Sequence, residues 1–212
     1  METHSLRAGE GGGPRGRARS PRGVGGAKKG TFEDRLALKY LDESGFSLCL
    51  PPTSCWTRKG RAHQHWVPTR WGSGGRINLI GTLCLEGVSE RLEYTMIEGA
   101  CRSGEVVGYL DALAEEAERA NKPVVVVLDN APFHTAGAVK ERRAGWKAKG
   151  LGLYYLPAYC PHLNLIKGVW RRVKGFLMPR RFYDSVAELK QAVLHALRLL
   201  GAVEVHTQLG DT

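Results

Sequence analysis

Apolar and polar side chains first alternate at residues 39–50, KYLDESGFSLCL, a stretch bounded by Gly/Pro-rich sequence. That period of two predicts a strand that opens the fold, with Asp42 near its beginning and Pro51 and Pro52 ending it. A loop follows to about Gly75 and holds Trp56, Trp66 and Trp71 among Arg and Lys residues. RINLIGTLCLEG and RLEYTMIEGA predict two further strands, joined as a hairpin by a short polar turn at Gly87–Glu90. The period then changes. Ser103 fits an N-cap, and Val106, Leu110, Leu113 and Ala117 fall at helical spacing through to Asn121. After Pro123 the aliphatic run VVVVL, closed by Asp129, lacks alternation and suits a central strand covered on both faces.

Residues Thr135 to Lys149 read as a basic helix and LGLYYLP as another short strand. Asn164 can cap a helix whose apolar face is Ile166, Val169, Trp170, Val173 and Phe176/Leu177. Ser185 and Glu188 form a capping box for a last helix that buries Val186, Leu189, Val193, Leu197 and Leu200. The order predicts an α/β fold: a mixed sheet, antiparallel hairpin plus parallel strands, with helices on both faces. It is the order of an RNase H-like fold, although other α/β folds permit it. The domain is expected at residues 32–202, between an arm at 1–31 and a tail at 203–212.

Composition changes this picture mainly at the N-terminus. Residues 1–30 carry seven Lys/Arg against two Glu, nine glycines and almost no large apolar side chain, so a disordered basic Gly/Arg-rich arm is expected. That arm supplies half of the net charge of +10, and the other 182 residues supply the rest. A basic balance favours a polyanionic partner, of which nucleic acid is the commonest, but a solubilising tail on a neutral domain would look the same. No apolar run approaches the roughly 20 residues needed to span a bilayer, so no membrane partner is expected. Five scattered cysteines read as reduced thiols in a cytoplasm.

Asp129 ends the buried run VVVVL, where α/β sheets place ligands. A carboxylate there costs free energy unless it pairs or binds a cation; the alternative is a turn cap before Asn130 and Pro132. The first strand commonly lies beside the first parallel strand after a crossover, which would bring Asp42 and Asp129 within reach of one cation. Carboxylate oxygens suit Mg2+ or Mn2+ rather than zinc. Asn130 is a candidate for holding Asp129 in place, or else a turn residue. His134 either orients a phosphate or water, or satisfies the helix start after Pro132.

YLDESGFSLCL, VVVVLDNAPFHTA and LPAYCPHLNLIKGVWRRVK together resemble the three acidic blocks of mariner-type and related insertion-sequence transposases of the DDE type, over roughly residues 33–200. The resemblance implies an RNase H-like catalytic domain that cleaves and transfers transposon ends. It implies Asp42 and Asp129 as metal ligands in a two-metal Mg2+ or Mn2+ site. It also implies DNA (transposon ends and target) as partner, with a homodimer or full-length transposase beside it, in a bacterial, nucleoid-associated cytoplasmic setting.

Two positions depart from that pattern. Where the family carries Pro and then the third metal-binding Glu, this chain has Leu165 and Lys167, each one base transition away. Lys167 falls in the first turn of a helix, where a carboxylate would suit the helix dipole and a cation does not. Its ammonium cannot ligate a metal, so catalysis is expected to be impaired in this copy. The alternative is a non-catalytic RNase H-like remnant that binds nucleic acid or a transposase. Upstream, such transposases carry helix-turn-helix regions and this chain offers the Gly/Arg arm instead, so sequence-specific DNA binding by this chain alone is not expected. Arg171, Arg172 and Lys174, with Arg180 and Arg181 beyond Pro179, are candidates for sequence-independent phosphate contacts, against a plain solvated helix face. Cys49, Cys55, His63 and His65 fit no zinc spacing well. Trp56, Trp66 and Trp71 either stack on unpaired bases or cover the sheet edge.

Overall fold

A computed structural model describes residues 35–49, 75–97, 99–178 and 182–207, and β1 (Ala37–Ser47) lies in the middle of its sheet. β1 pairs antiparallel with β2 (Arg76–Glu86), which pairs antiparallel with β3 (Ser89–Ile97) across the turn at Gly87, φ 57°. On its other edge β1 runs parallel to β4 (Val124–Leu128), and β4 runs parallel to β5 (Leu151–Tyr155). The valines of β4 are mostly buried because helices cover both faces of this strand, as the run without alternation predicts.

The alternation in β1 sorts its side chains between two cores. Leu38, Tyr40, Phe46 and Leu48 pack toward α3 (Ile166–Arg172) and α4 (Val186–Leu199), against Trp170, Leu189 and Val193. Ala37 and Leu41 pack toward α1 (Ser103–Ala120) and α2 (Gly137–Ala148), against Leu110, Leu113, Val139 and Trp146. The mixed sheet with helices on both faces is therefore as expected, and β4 lies beside β1.

Several local expectations need correction. The N-cap of α1 is Arg102, one residue before Ser103, because the Glu105 carboxylate reaches back to accept the Arg102 N–H at 2.8 Å. Asn164 does not cap α3; Leu165 holds that position, and Asn164 Nδ2 instead donates to the Leu41 carbonyl at 2.8 Å, tying the helix start to β1. The helix loosens into a π turn over Val173–Leu177, which rotates Phe176 outward to 84 % exposure although the spacing placed it on the apolar face. Val186, expected inside, is 40 % exposed at the first position of α4, while Ser185 caps that helix as predicted, accepting the Glu188 N–H at 3.1 Å. Residues read as tail include β6 (Val203–Glu204), which runs parallel to β3, and Val205 N–H bonds the Tyr94 carbonyl at 2.8 Å.

Gly81 in β2 stands opposite Asp42, and a Cβ there would lie 2.7 Å from the Glu93 carbonyl and 2.9 Å from Trp170 Cζ2. Trp170 thus reaches the sheet only because residue 81 has no side chain. Gly81→Ala is expected to destabilise the domain by about 1–3 kcal/mol, the scale of core overpacking; the midpoint of urea unfolding measures it, and an unchanged midpoint would refute this packing account.

Candidate functional site

Parallel pairing of β1 with β4 brings Asp42 and the end of β4 to one end of the sheet. Asp42 is 7 % exposed, and Asp129 follows β4 directly. Lys167 enters from the first turn of α3, which Asn164 anchors to β1. Its ammonium Nζ lies 2.6 Å from Asp42 Oδ1 and 3.6 Å from Asp129 Oδ2. The two candidate ligands are therefore joined, as expected, but by a lysine.

The charges answer this arrangement. Burial pushes the Asp42 carboxyl up to about 6, and the Lys167 hydrogen bond and charge pull against burial without offsetting it. Burial works against the Lys167 charge too, yet Asp42 and Asp129 outweigh it and raise its pKa above the ordinary lysine value. At neutral pH the group is an ammonium between two carboxylates.

Asp129 is held from its other side. Its Oδ1 accepts from the Ala131 N–H at 3.1 Å and lies 3.0 Å from His134 Nδ1. The hydrogen bond from His134 is the main reason that Asp129 drops to about 2, against the upward push of burial. His134 sits at the end of a 3-10 turn, Pro132–His134, fully buried, with Phe133 edge-on to its ring. Its Nε2 lies 2.8 Å from Glu43 Oε1. Burial alone would lower the imidazole, but hydrogen bonds to Asp129 and Glu43 raise it to about 9, so both ring nitrogens carry protons and donate at neutral pH.

Two sequence expectations resolve differently here, and one residue of the cluster was missed. His134 touches the acid pair through Asp129 rather than merely satisfying a helix start. Asn130 makes no bond to Asp129; its Nδ2 donates to the Leu156 carbonyl at 2.5 Å and ties the loop after β4 to the loop after β5. Glu43 was not anticipated. Its only signal was adjacency to Asp42, because its partner His134 lies 91 residues further along the chain.

The basic candidates divide. Arg171 and Arg172 are exposed on α3. Lys174 is half-buried with Nζ 5.0 Å over the Phe46 ring, and burial together with Arg76 lowers its pKa. Arg180 and Arg181 lie outside the described residues, as do Cys55, Trp56, His63, His65, Trp66 and Trp71. An open cleft of about 360 Å3, with Asp129 in its lining, runs between the loops after β4 and β5, rimmed by the fully exposed Tyr159 at φ 59°.

The family model of the DDE superfamily endonuclease domain matches residues 37–190, which include every residue of this cluster. The chain belongs to that family. Solved structures agree on the fold. A Mos1 transposase paired-end complex with the left transposon end superposes at a TM-score of 0.57, with 18% identity, 92% of this chain and 60% of that chain covered. The Mos1 strand transfer complex gives 0.55, with 19% identity over 84% of this chain and 51% of that one. The catalytic domain of Mos1 mariner transposase gives 0.53 at 16% identity, over 84% of this chain and 76% of that one. This DDE domain is RNase H-like, and the chain spans about 60% of the length of the first of these transposases. No curated protein matches the chain.

A divalent cation does not fit the DDE site as it stands. Asp42 and Asp129 have the oxygen chemistry for Mg2+ or Mn2+, but the Lys167 ammonium takes the place between them. Among the described residues no group of three His, Cys, Asp or Glu side chains is arranged to hold a metal ion.

Proposed function

We propose that this chain is the catalytic domain of an insertion-sequence transposase by descent, impaired in metal-dependent DNA cleavage and strand transfer because Lys167 stands where the third carboxylate belongs. One observation carries the reading: Lys167 Nζ lies 2.6 Å from Asp42 Oδ1 and 3.6 Å from Asp129 Oδ2. An ammonium there satisfies the charge that a hard cation would satisfy, and it donates no electron pair to a metal. Structural neighbours described as Mos1 complexes with Mn and with Mg support divalent metal as the ion for which the acid pair is built. Those described with a transposon end or as a strand transfer complex support DNA as the partner. Arg171 and Arg172, exposed on α3 beside Lys167, suit phosphate contacts without sequence readout. The setting that goes with this reading is the bacterial nucleoid.

The same lysine also supports a second reading, a non-catalytic module that binds nucleic acid or a full-length transposase. Nicking of supercoiled DNA separates the two histories. The chain as it is should leave the plasmid intact with Mg2+ or Mn2+, and Lys167→Glu should gain metal-dependent nicking that Asp129→Ala abolishes. Nicking by the unaltered chain in proportion to metal would overturn the impairment. Binding without nicking by Lys167→Glu would favour the second reading.

A further inference from the structure

Charge is unevenly divided along the folded chain. Residues 142–183 hold ten Lys/Arg and no Asp or Glu, whereas α1 holds five acids and one arginine. The basic run opens with most of α2 and all of β5, an edge strand of the described sheet. Helical geometry sorts the cations of α2 around its buried face, Val139 and Trp146. Arg142 lies on one flank, with Nη1 3.3 Å from Asp111 Oδ2 of α1, and Lys149 past the helix end lies 3.3 Å from Glu118 Oε2. Lys140, Arg143 and Lys147 form the other flank, three and four residues apart and all exposed. Among the described residues no carboxylate pairs with any of these three. Glu141, the one acid of α2, stands on its solvent side.

This flank overhangs β5, because Arg143 Cζ lies 5.5 Å over the Tyr155 ring. The ring is itself held, since its hydroxyl donates to the His134 carbonyl at 2.8 Å. Stacking on a ring face leaves the N–H edge of a guanidinium free to donate. Tyr155 pairs with Leu128, the residue before Asp129, so the stripe starts at the site end of the sheet. We propose that this flank of α2 is a track for a nucleic-acid backbone, with Lys140, Arg143 and Lys147 meeting successive phosphates of duplex DNA. Cations at these spacings stand about 5–6 Å apart and oppose helix formation, so their grouping is a cost to the fold that a polyanion offsets. The track rests on the proposed reading of DNA as the partner. It adds a contact surface on the opposite face of the sheet from Arg171 and Arg172.

Anisotropy of a labelled short duplex, in chelator, tests it between about 50 and 200 mM salt, where phosphate contacts appear as the slope of log affinity on log salt. Each contact contributes about 0.9 to that slope. Arg143→Gln should therefore flatten it by about one, and Lys140→Gln, Arg143→Gln and Lys147→Gln together by about 2 to 3, equally on two unrelated sequences. Arg142→Gln removes the same charge one residue away, from a cation already paired with Asp111, and should leave the slope as it is. Equal flattening by Arg142→Gln and Arg143→Gln would reduce the effect to net charge and overturn the track. An unchanged slope in a triple variant that aggregates would also overturn it, since the cations would then only guard an edge strand. Preference for a poly-glutamate peptide over the duplex would do the same, in favour of an acidic protein partner. If Arg171→Gln and Arg172→Gln flatten the slope and the α2 variants do not, the track fails while the DNA reading stands. No duplex binding by the unaltered chain at any of these salts sinks both.

Discussion

Lys39→Met should be the most damaging single change in the sheet, costing about 3–5 kcal/mol, the scale for removing one partner of a buried ion pair. Lys39 is 1 % exposed on the α1 side of β1, with Nζ 2.7 Å from Glu93 Oε2 and 2.7 Å from Glu116 Oε2. Glu93 is nearly as buried and also accepts from Thr82 Oγ1 at 2.9 Å and Arg91 Nη2 at 2.7 Å. Burial opposes both charges, yet their attraction and hydrogen bonds win, raising Lys39 and lowering Glu93. Glu93 therefore contributes stability that is present above the ordinary carboxylate value and lost as pH falls through its lowered one. Lys39 contributes stability that is fully present below about 10.5 and lost as pH rises through its raised value. With methionine at 39, the Glu93 carboxylate keeps Arg91 and Thr82 but loses its buried cation, so the acid limb of the stability profile should move toward neutral pH. Urea unfolding across pH measures both effects. The double variant Lys39→Met, Glu93→Met should recover much of the loss, since an apolar pair needs no compensation; a single variant within about 1 kcal/mol of the parent, against that 3–5 kcal/mol expectation, would sink the account.

Lys39 also marks the limit of what periodicity conveys. Alternation in KYLDESGFSLCL places the strand correctly and puts Asp42 at the sheet end. The unbroken valines of β4 likewise announce a central strand, because a strand covered on both faces has no polar side to display. Those signals are local, and local signals survive in the sequence. What stayed hidden depends on pairs distant along the chain: Lys39 with Glu93 and Glu116, Glu43 with His134, and Asn164 with the Leu41 carbonyl. A polar residue on an inward face looks solvent-facing until its partner is located. β6 was missed for a different reason, since two residues are too few to show a period. Phe176 went astray because the 3.6-residue spacing was carried through a segment that widens into a π turn.

Removal of the Lys167 cation should convert the acid pair from closed to receptive. In Lys167→Met the Asp42 carboxyl, already pushed up to about 6 by burial with the ammonium present, should titrate higher still. The sign follows from proton counting. A folded value above the ordinary 3.8 means that the folded chain keeps a proton which the unfolded chain has released. That contribution is most favourable at acid pH and falls as pH rises from about 4 through the folded value. The variant should thus lose more stability at pH 8 than at pH 5, by roughly 1–3 kcal/mol, less than for a fully buried pair because the Lys167 side chain is 30 % exposed. Mn2+ should then raise the melting temperature of Lys167→Met, with about 2.7 kcal/mol available at a hundredfold excess over its dissociation constant. The unaltered chain should melt at the same temperature in Mn2+ and in chelator, because its carboxylates are already satisfied. Equal Mn2+ stabilisation of both chains would mean that the ammonium yields readily to a metal, and would overturn the proposal that Lys167 impairs the site.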